Sequence, residues 1–375
     1  MIGRYVRFTV SVLALLTATI LIAAKTPSKL DQPQALTAHE WGTFTSIAGK
    51  NGQAAEWLPY GGPSDLPCFV DRFKSPTAKV NLSATVRMET PVIYFYSPRA
   101  TTLSVRVHFR QGLITEWFPQ AQASNEVPAN TLFWSNVKIN PDAVADFPVE
   151  TAPSHYYAAR NTDAAPLEVG SQKERFLFYR GIGHTSLPIA ATITKDGRVR
   201  VRNTGNDEIR GIILFENRRG RIGFRVQSDL RGEVTLETPS LTSDLASLAR
   251  QLEDILVKEG LYPKEARAMV ETWRDSWFEH GARLFYIVPQ RAIDSILPLE
   301  IQPVPAQTAR VFVGRMEIIT PVTEREIRDA IANHDRATLE QYGRFLEPIS
   351  SQLRVSSRLM QSIRSSYLVQ ASGCY

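Results

Sequence analysis

The feature that most constrains the fold is a series of short strand-like segments between residues 38 and 238. The segment TTLSVRVHF (101–109) alternates apolar with polar residues, which gives a strand with one apolar face. Its neighbours, TPVIYFYSP (90–98) and GLITEWFP (112–119), are rich in β-branched and aromatic residues. We expect these three segments to form consecutive antiparallel strands. Turn sequences such as KDG and NRRG connect further segments of the same kind, and the whole pattern predicts a β-sandwich-like body.

The apolar period changes to that of a helix in residues 239–281, where two segments each carry an apolar stripe and end at a glycine. Strand-like segments return in residues 282–322. Thr323 and Glu326 are spaced as a capping box at the start of C-terminal helices within 323–375. Because strands continue after the helical hairpin, we interpret the hairpin as an insertion. The predicted fold class is therefore α+β and β-rich: an antiparallel β-sandwich-like body with an inserted helical hairpin and C-terminal helices.

The N-terminal part of the chain indicates the compartment. Residues 1–24 combine a basic start with an apolar run that ends in small residues, the layout of a secretory signal peptide. An uncleaved N-terminal anchor is the alternative, since the run is only slightly shorter than the about 20 residues of a spanning helix. Residues 25–37 are polar, contain prolines and are interpreted as a linker. We expect an exported protein, periplasmic or extracellular, that touches the membrane only if the N-terminal segment is not cleaved.

The chain contains two cysteines, Cys68 and Cys374, and their spacing excludes a Cys-x-x-Cys metal or redox motif. In an oxidising compartment such a pair predicts a disulfide, which would fix the C-terminal tail to the N-terminal region. Two unrelated thiols are the alternative.

Charge gives little indication of a partner. The formal net charge is +5, and basic and acidic residues are interspersed along most of the chain. The cluster NRRGR (217–221) is interpreted as the solvated tip of a hairpin, with an anionic surface partner as the alternative. The pattern contains no basis for nucleic-acid recognition. The sequence identifies no partner; for an exported chain the candidates are an envelope protein and a polysaccharide.

Short catalytic motifs are missing: the sequence contains no G-x-S-x-G, H-E-x-x-H, Walker loop or EF-hand loop. An enzyme would have to use scattered acids and histidines that lie beside aromatic residues. Glu116 stands out because simple alternation places it on the buried face of its strand, where a carboxylate is costly unless it is paired. The candidate catalytic residues are Glu116, His184, His39 and Glu89.

Three of these candidates could also hold a divalent metal, the one cofactor that the sequence suggests. His39, Glu116 and His184 supply the nitrogen and oxygen donors that such ions use, or they could position a water molecule. The alternative for each is a structural residue that is paired inside the fold. Trp57, on a segment rich in Pro and Gly, and Glu40, beside Trp41, are candidate ligand-binding residues. Their alternatives are a loop anchor for Trp57 and an Arg or backbone partner for Glu40.

Two hypotheses of function follow, and the sequence does not decide between an enzyme and a non-enzyme. The first is an extracytoplasmic binding or structural module of the cell envelope. The second is a hydrolase-like enzyme that acts on an envelope or extracellular polymer with carboxylates, with or without a His-bound metal. Convergence of Glu89, Glu116, His39 and His184 on one pocket would favour the enzyme, whereas separate pairing of each would favour the binding module.

Overall fold

The computed structural model describes residues 35–59, 66–72, 82–124 and 129–370. The predicted leader, most of the linker and Cys374 lie outside these residues, so the signal peptide and the disulfide remain predictions. No helix in the described part of the chain is both long and apolar enough to cross a membrane.

The described strands are β1 (Thr37–Ile47), β2 (Asp71–Arg72), β3 (Val86–Tyr96), β4 (Thr101–His108), β5 (Gly112–Phe118), β6 (Gln122–Ala123), β7 (Thr131–Ile139), β8 (Leu167–Val169), β9 (Gln172–Glu174), β10 (Leu177–Gly183), β11 (Ile189–Ile193), β12 (Val199–Asn203), β13 (Ile209–Arg218), β14 (Arg221–Leu230), β15 (Glu233–Leu236), β16 (Gly281–Ile287), β17 (Leu299–Gln302) and β18 (Gln307–Ile318). The described α-helices are α1 (Leu245–Lys258), α2 (Pro263–Trp277), α3 (Gln290–Ile296), α4 (Pro321–Ala332), α5 (Arg336–Glu340), α6 (Leu346–Leu353) and α7 (Arg358–Gln370).

The strands form a large sheet and two smaller ones. The nine-stranded sheet has the order β14-β13-β16-β18-β1-β3-β10-β5-β2. A six-stranded sheet runs β17-β4-β7-β8-β9, with β6 also paired to β7, and a three-stranded sheet runs β11-β12-β15. The neighbouring strands β1 and β18 are parallel, whereas the other described pairs are antiparallel. The predicted α+β, β-rich class is confirmed.

The expected run of consecutive antiparallel strands is wrong. β3 and β5 both pair with β10 in the nine-stranded sheet, whereas β4 pairs with β7 and β17 in the six-stranded sheet. Alternation along each segment fixes which residues face the core, but it does not fix which strand lies beside it.

Both faces of the nine-stranded sheet are covered. One face packs against the smaller sheets in a core that includes Phe44, Tyr179 and Trp134. The other face packs against α1 and α2 in a core that includes Trp41 and Trp273. The helices and the small sheets therefore enclose the central strands β1, β3 and β18, and charged side chains on these strands are withdrawn from water.

The helical hairpin forms within the predicted boundaries, residues 239–281. Asp244 caps α1 by accepting a hydrogen bond from the backbone N–H of Ser247, and Pro263 opens α2. In sequence the hairpin lies between β15 and β16, and β16 pairs with β13, which precedes the hairpin. The short helix α3, within the segment expected to contain only strands, was not predicted.

The C-terminal helices pack around Ile47, Trp57 and Phe345 in an apolar cluster of their own. The predicted capping box at Thr323 and Glu326 is wrong. Helix α4 begins three residues earlier than that motif implies, and the side chain of Thr320 accepts from the backbone N–H of Thr323.

Candidate functional site

His39 lies on β1 and joins the large sheet to helix α2. Its Nδ1 lies 2.8 Å from Oε2 of Glu265, whose other oxygen accepts a hydrogen bond of 2.8 Å from the hydroxyl of Tyr96. The backbone N–H of Tyr262 donates to the same carboxylate at 2.7 Å. His39, Tyr96 and Glu265 are buried, and the arrangement holds the first turn of α2 against the sheet.

Glu40 points to the opposite side of β1 and is fully buried. Its carboxylate accepts a hydrogen bond of 2.6 Å from Nε of Arg310 and a second from the hydroxyl of Tyr179. Arg310 also donates to Asp294 at 2.6 Å and to the carbonyl oxygen of Leu297 at 2.8 Å. Burial by itself lowers the pKa of Arg310, but the adjacent Glu40 carboxylate outweighs burial and raises it. The predicted arginine partner of Glu40 is confirmed, and the network supports a structural role for Glu40 over ligand binding.

A second group of buried charges lies further along the same sheet, on the helix side. Thr45 on β1 faces Arg87 on β3 and Arg315 on β18, and Thr43 faces Glu89 on β3. Residues that face each other across neighbouring strands project from the same side of a sheet. The register therefore places two arginines, a glutamate and two threonines next to one another on the central strands.

Arg344 completes this group from the helical side. Its Nη1 lies 3.2 Å from Oε1 of Glu89, and its Nη2 donates to Oε2 at 3.4 Å. The guanidinium groups of Arg315 and Arg344 lie 4.6 Å and 5.2 Å from the ring centre of Phe345, distances typical of cation–π contacts. We refer to Arg87, Glu89, Arg315 and Arg344 as the arginine cluster.

Positive charge exceeds negative charge around Glu89. Burial raises the pKa of Glu89, but Arg344 and then Arg87 outweigh burial and lower it, so Glu89 is ionised. Burial lowers the pKa of Arg315, and the nearby positive charge of Arg283 lowers it further. Arg315 donates to the carboxylate of Glu279 at 3.0 Å, which neutralises part of its charge.

Several polar atoms of this region are buried without a hydrogen-bond partner among the described residues. They include the donors Nε and Nη1 of Arg315 and Nε of Arg344, the hydroxyl oxygens of Thr43 and Thr45, and one acceptor, Oε1 of Glu89. An unsatisfied buried donor costs about 1–3 kcal/mol, so a concentration of them calls for a specific explanation. Here they lie beside an excess of guanidinium groups, an arrangement that can bind an anion.

The sheet brings Glu116 into the same neighbourhood as Glu89. Glu116 on β5 faces Arg180 on β10, whose guanidinium donates to the hydroxyl of Thr90 at 3.4 Å. Glu116 also accepts a hydrogen bond from the hydroxyl of Thr115. Glu116 is buried, as its position in the alternation predicts. Arg180 therefore faces Glu116 and lies close enough to Glu89 to help lower its pKa, so two of the four predicted catalytic residues lie near the same arginine.

The two predicted histidines do not join them. His39 faces Tyr94 near one end of β3, whereas His184 directly follows Gly183, which faces Val86 at the other end. These positions on β3 are about 25 Å apart at roughly 3.3 Å per residue. His184 is exposed. The described residues contain no group of three His, Cys, Asp or Glu side chains that could hold a metal ion. The predicted site at His39, Glu116 and His184 is therefore not formed.

Trp57 is buried rather than displayed on a loop. Its backbone pairs with Ala84, and its indole stacks on Phe345 with ring centres 5.7 Å apart. These contacts match the loop-anchor alternative for Trp57.

A cleft of about 290 Å³ opens beside the arginine cluster, between the segment at residue 58 and helices α6 and α7. Arg344 belongs to both the cleft and the cluster. The described residues that line the cleft include Arg344, Leu346, Ser350, Val355, Met360 and Ile363.

Sequence reasoning missed Arg315 and Arg344. A signal for Arg315 is present, because it interrupts the apolar strand segment 309–321 in the same way that Glu116 interrupts its own segment. Arg344, in a short polar-to-apolar transition before α6, carries no comparable signal.

Comparison with known proteins identifies no family. No protein-family model and no curated protein matches the chain. Among solved structures, the Fcho1 mu homology domain of Danio rerio with bound Eps15 peptide is 8% identical, with 76% of this chain and 98% of that chain covered and a TM-score of 0.30. The yeast delta-COP-I mu-homology domain is 7% identical, with coverages of 76% and 98% and a TM-score of 0.29. Its complex with a Dsl1 WxWxV peptide is 6% identical, with coverages of 76% and 96% and a TM-score of 0.27. Likenesses at these TM-scores support no inference about this chain.

Proposed function

We propose that this chain is an exported binding protein of the cell envelope and that the arginine cluster holds a small ligand through an oxyanion group. The observation that carries this proposal is the set of unpaired, buried donors on Arg315 and Arg344, next to the hydroxyls of Thr43 and Thr45. A carboxylate, phosphate or sulfate would accept hydrogen bonds from these donors and offset the excess positive charge.

Arginine suits this task because its planar guanidinium presents several N–H donors in a fixed geometry that matches an oxyanion. Arg315 and Arg344 are both held in place by the ring of Phe345 and by a carboxylate each, Glu279 and Glu89. Their positions are therefore set before a ligand arrives, which reduces the entropy lost on binding.

A hydrolase is supported less well than a binding protein. Glu89 is the predicted catalytic acid that belongs to the arginine cluster, and its lowered pKa makes it a poor proton donor near neutral pH. His39 is hydrogen-bonded to Glu265, and His280 to Glu326 at 2.9 Å. These histidines hold secondary-structure elements together instead of facing a shared cleft.

The export part of the proposal rests on the N-terminal leader in residues 1–24. Mass spectrometry of the protein from the envelope fraction should find an N-terminus near residue 25. An intact N-terminus on membrane-bound protein would favour the anchor, and recovery in the cytoplasm alone would refute export. Alkylation under denaturing, non-reducing conditions should also find Cys68 and Cys374 blocked if the predicted disulfide forms.

The binding part is tested with inorganic phosphate, sulfate and acetate, titrated by calorimetry and by thermal shift. At least one of them should bind and raise the melting temperature. Thr45→Val removes one unpaired hydroxyl at constant shape, so it should weaken that binding about tenfold or more without destabilising the free protein. Arg336→Gln, on the exposed side of α5, is the matched control and should leave binding unchanged. Absence of binding by all three anions, or equal binding by Thr45→Val, would refute the anion site.

A further inference from the structure

The cleft beside the arginine cluster has walls of a different character from the cluster itself. Leu346 and Ile363 are buried, and Val355 and Met360 are half-buried along its sides. The hydroxyl of Ser350, which also lines the cleft, already donates to the carbonyl oxygens of Leu346 and Glu347 at 2.7 Å and 2.8 Å. Leu346, Val355, Met360 and Ile363 therefore form an apolar wall within a lining that also contains Ser351, Ser356 and Gln361.

Arg344 belongs both to the lining of this cleft and to the arginine cluster. It lines the cleft, it reaches Glu89, and its Nε is buried without a hydrogen-bond partner among the described residues. An anionic group placed at Arg344 would have an apolar surface extending away from it along α6 and α7.

The cleft offers one positive charge to a ligand, since Arg344 is the one basic side chain among the described residues that line it. A head group with a single negative charge matches that arrangement. The volume of about 290 Å³ lies at the lower limit for small-molecule pockets, which indicates a short ligand.

We propose that the ligand is an amphipathic monoanion, a medium-chain monocarboxylate, with its carboxylate at Arg344 and its apolar chain in the cleft. This inference rests on the proposed oxyanion site and adds the chemical class of the ligand. It commits the protein to binding a lipid-like acid in preference to a free inorganic anion.

The experiment is a calorimetric titration of the full exported chain with acetate, butanoate, hexanoate and octanoate. Each added CH₂ group that is buried should lower the Kd about fourfold until the cleft is filled. Octanol and octylammonium share the chain but lack the negative charge, and both should bind at least tenfold more weakly than octanoate. Octyl phosphate, which carries more charge at neutral pH, should also bind more weakly than octanoate.

Two variants test the two ends of the ligand separately. Arg344→Gln should weaken octanoate at least tenfold and leave octanol unchanged, with Arg336→Gln as the matched control. Met360→Gln, on the half-buried wall, should reduce the gain per CH₂ group while acetate binding is retained. Circular dichroism establishes that each variant is folded, and Met360→Gln keeps the proposal testable if Arg344→Gln does not fold.

The outcomes separate this inference from the proposed function. If a small oxyanion binds and Thr45→Val weakens it, but chain length has no effect, the amphipathic ligand is refuted and the oxyanion site stands. If octyl phosphate binds more tightly than octanoate, the monocarboxylate is refuted in favour of a phosphate-bearing ligand at the same site. If chain length matters but charge does not, or if no compound binds, both proposals fail.

Discussion

The network around Glu40 provides a quantitative test of how the sheet is held together. Glu40→Ala removes a fully buried carboxylate that accepts from Arg310 and Tyr179. Breaking a buried ion pair by removing one partner typically costs about 3–5 kcal/mol, because the other charge stays buried. Arg310 keeps its contacts with Asp294 and the carbonyl oxygen of Leu297, so we expect a loss near the lower end, about 3 kcal/mol.

The measurement is urea denaturation of the exported chain, monitored by tryptophan fluorescence and by circular dichroism. Tyr179→Phe removes one hydrogen bond to a charged group and should cost about 1.5–3 kcal/mol. Asp294→Asn is the control, since its side chain is 50% exposed and exposed ion pairs contribute at most about 1 kcal/mol. The double variant Glu40→Ala/Arg310→Ala should lose less stability than the sum of the two single variants, because each single substitution removes the same ion pair. If Glu40→Ala lowered the free energy of unfolding by less than about 1 kcal/mol, the inference that this network stabilises the folded protein would be refuted.

Three other predictions concern stability. Gly314→Ala should lower the free energy of unfolding by about 1–3 kcal/mol in urea denaturation, because a Cβ at this position would overlap the ring of Tyr286. Gly232 has open space around it, so Gly232→Ala should change that free energy by less than about 0.5 kcal/mol. Equal effects of the two substitutions would contradict the steric argument. Trp57→Ala should lower the free energy of unfolding by about 3–5 kcal/mol, since Trp57 is 3% exposed. A near-neutral result would favour the ligand-binding interpretation of Trp57 over the loop anchor. Burial raises the pKa of Glu89, but the surrounding arginines lower it by more, so the net effect is a lowered pKa. The stability that the ionised Glu89 contributes is therefore complete above the ordinary carboxyl pKa of about 4.3, and it is lost as the pH falls through the lower pKa of the folded state. The stability difference between the native chain and Glu89→Gln, measured across pH 2–7, should therefore shrink toward acid pH, and a difference that grows there would contradict the lowered pKa.

Local features of the first strand were predictable from the sequence. The sequence pattern predicts a strand-rich body from residue 38, and it offers an arginine or a backbone group as the structural partner of Glu40. β1 spans Thr37–Ile47, Trp41 is fully buried and Glu40 is paired with Arg310. These predictions depend on strand alternation and on the cost of an unpaired charge beside an indole, and both are properties of a few adjacent residues.

The partners of the buried charges were not predictable in the same way. Arg310 is 270 positions away from Glu40, and Glu265 is 226 positions away from His39. Their proximity depends on the parallel pairing of β1 with β18 and on the docking of α2, which are long-range features. The predicted metal site failed for the same reason, because the order of β1, β3, β10 and β5 places its three residues at different levels of the sheet.

The position of the arginine cluster beside Thr43 and Thr45 of β1 explains why the unpaired donors there are costly in the free protein. Along one side of β1, Trp41 belongs to the apolar cluster under α1 and α2, and Ile47 belongs to the apolar cluster under the C-terminal helices. Thr43 and Thr45 lie between them, so both ends of the polar stretch are closed by apolar packing. Each unsatisfied donor in such a stretch costs about 1–3 kcal/mol, and a bound oxyanion that accepts from several of them would recover part of that cost. Because a ligand that binds only the folded state stabilises it by RT ln(1 + [L]/Kd), the free protein should be the less stable form. Thr45→Val should then affect the ligand-free and the ligand-bound protein differently. Without ligand, the variant should be at least as stable as the native chain. With ligand, its stability should increase by less than that of the native chain.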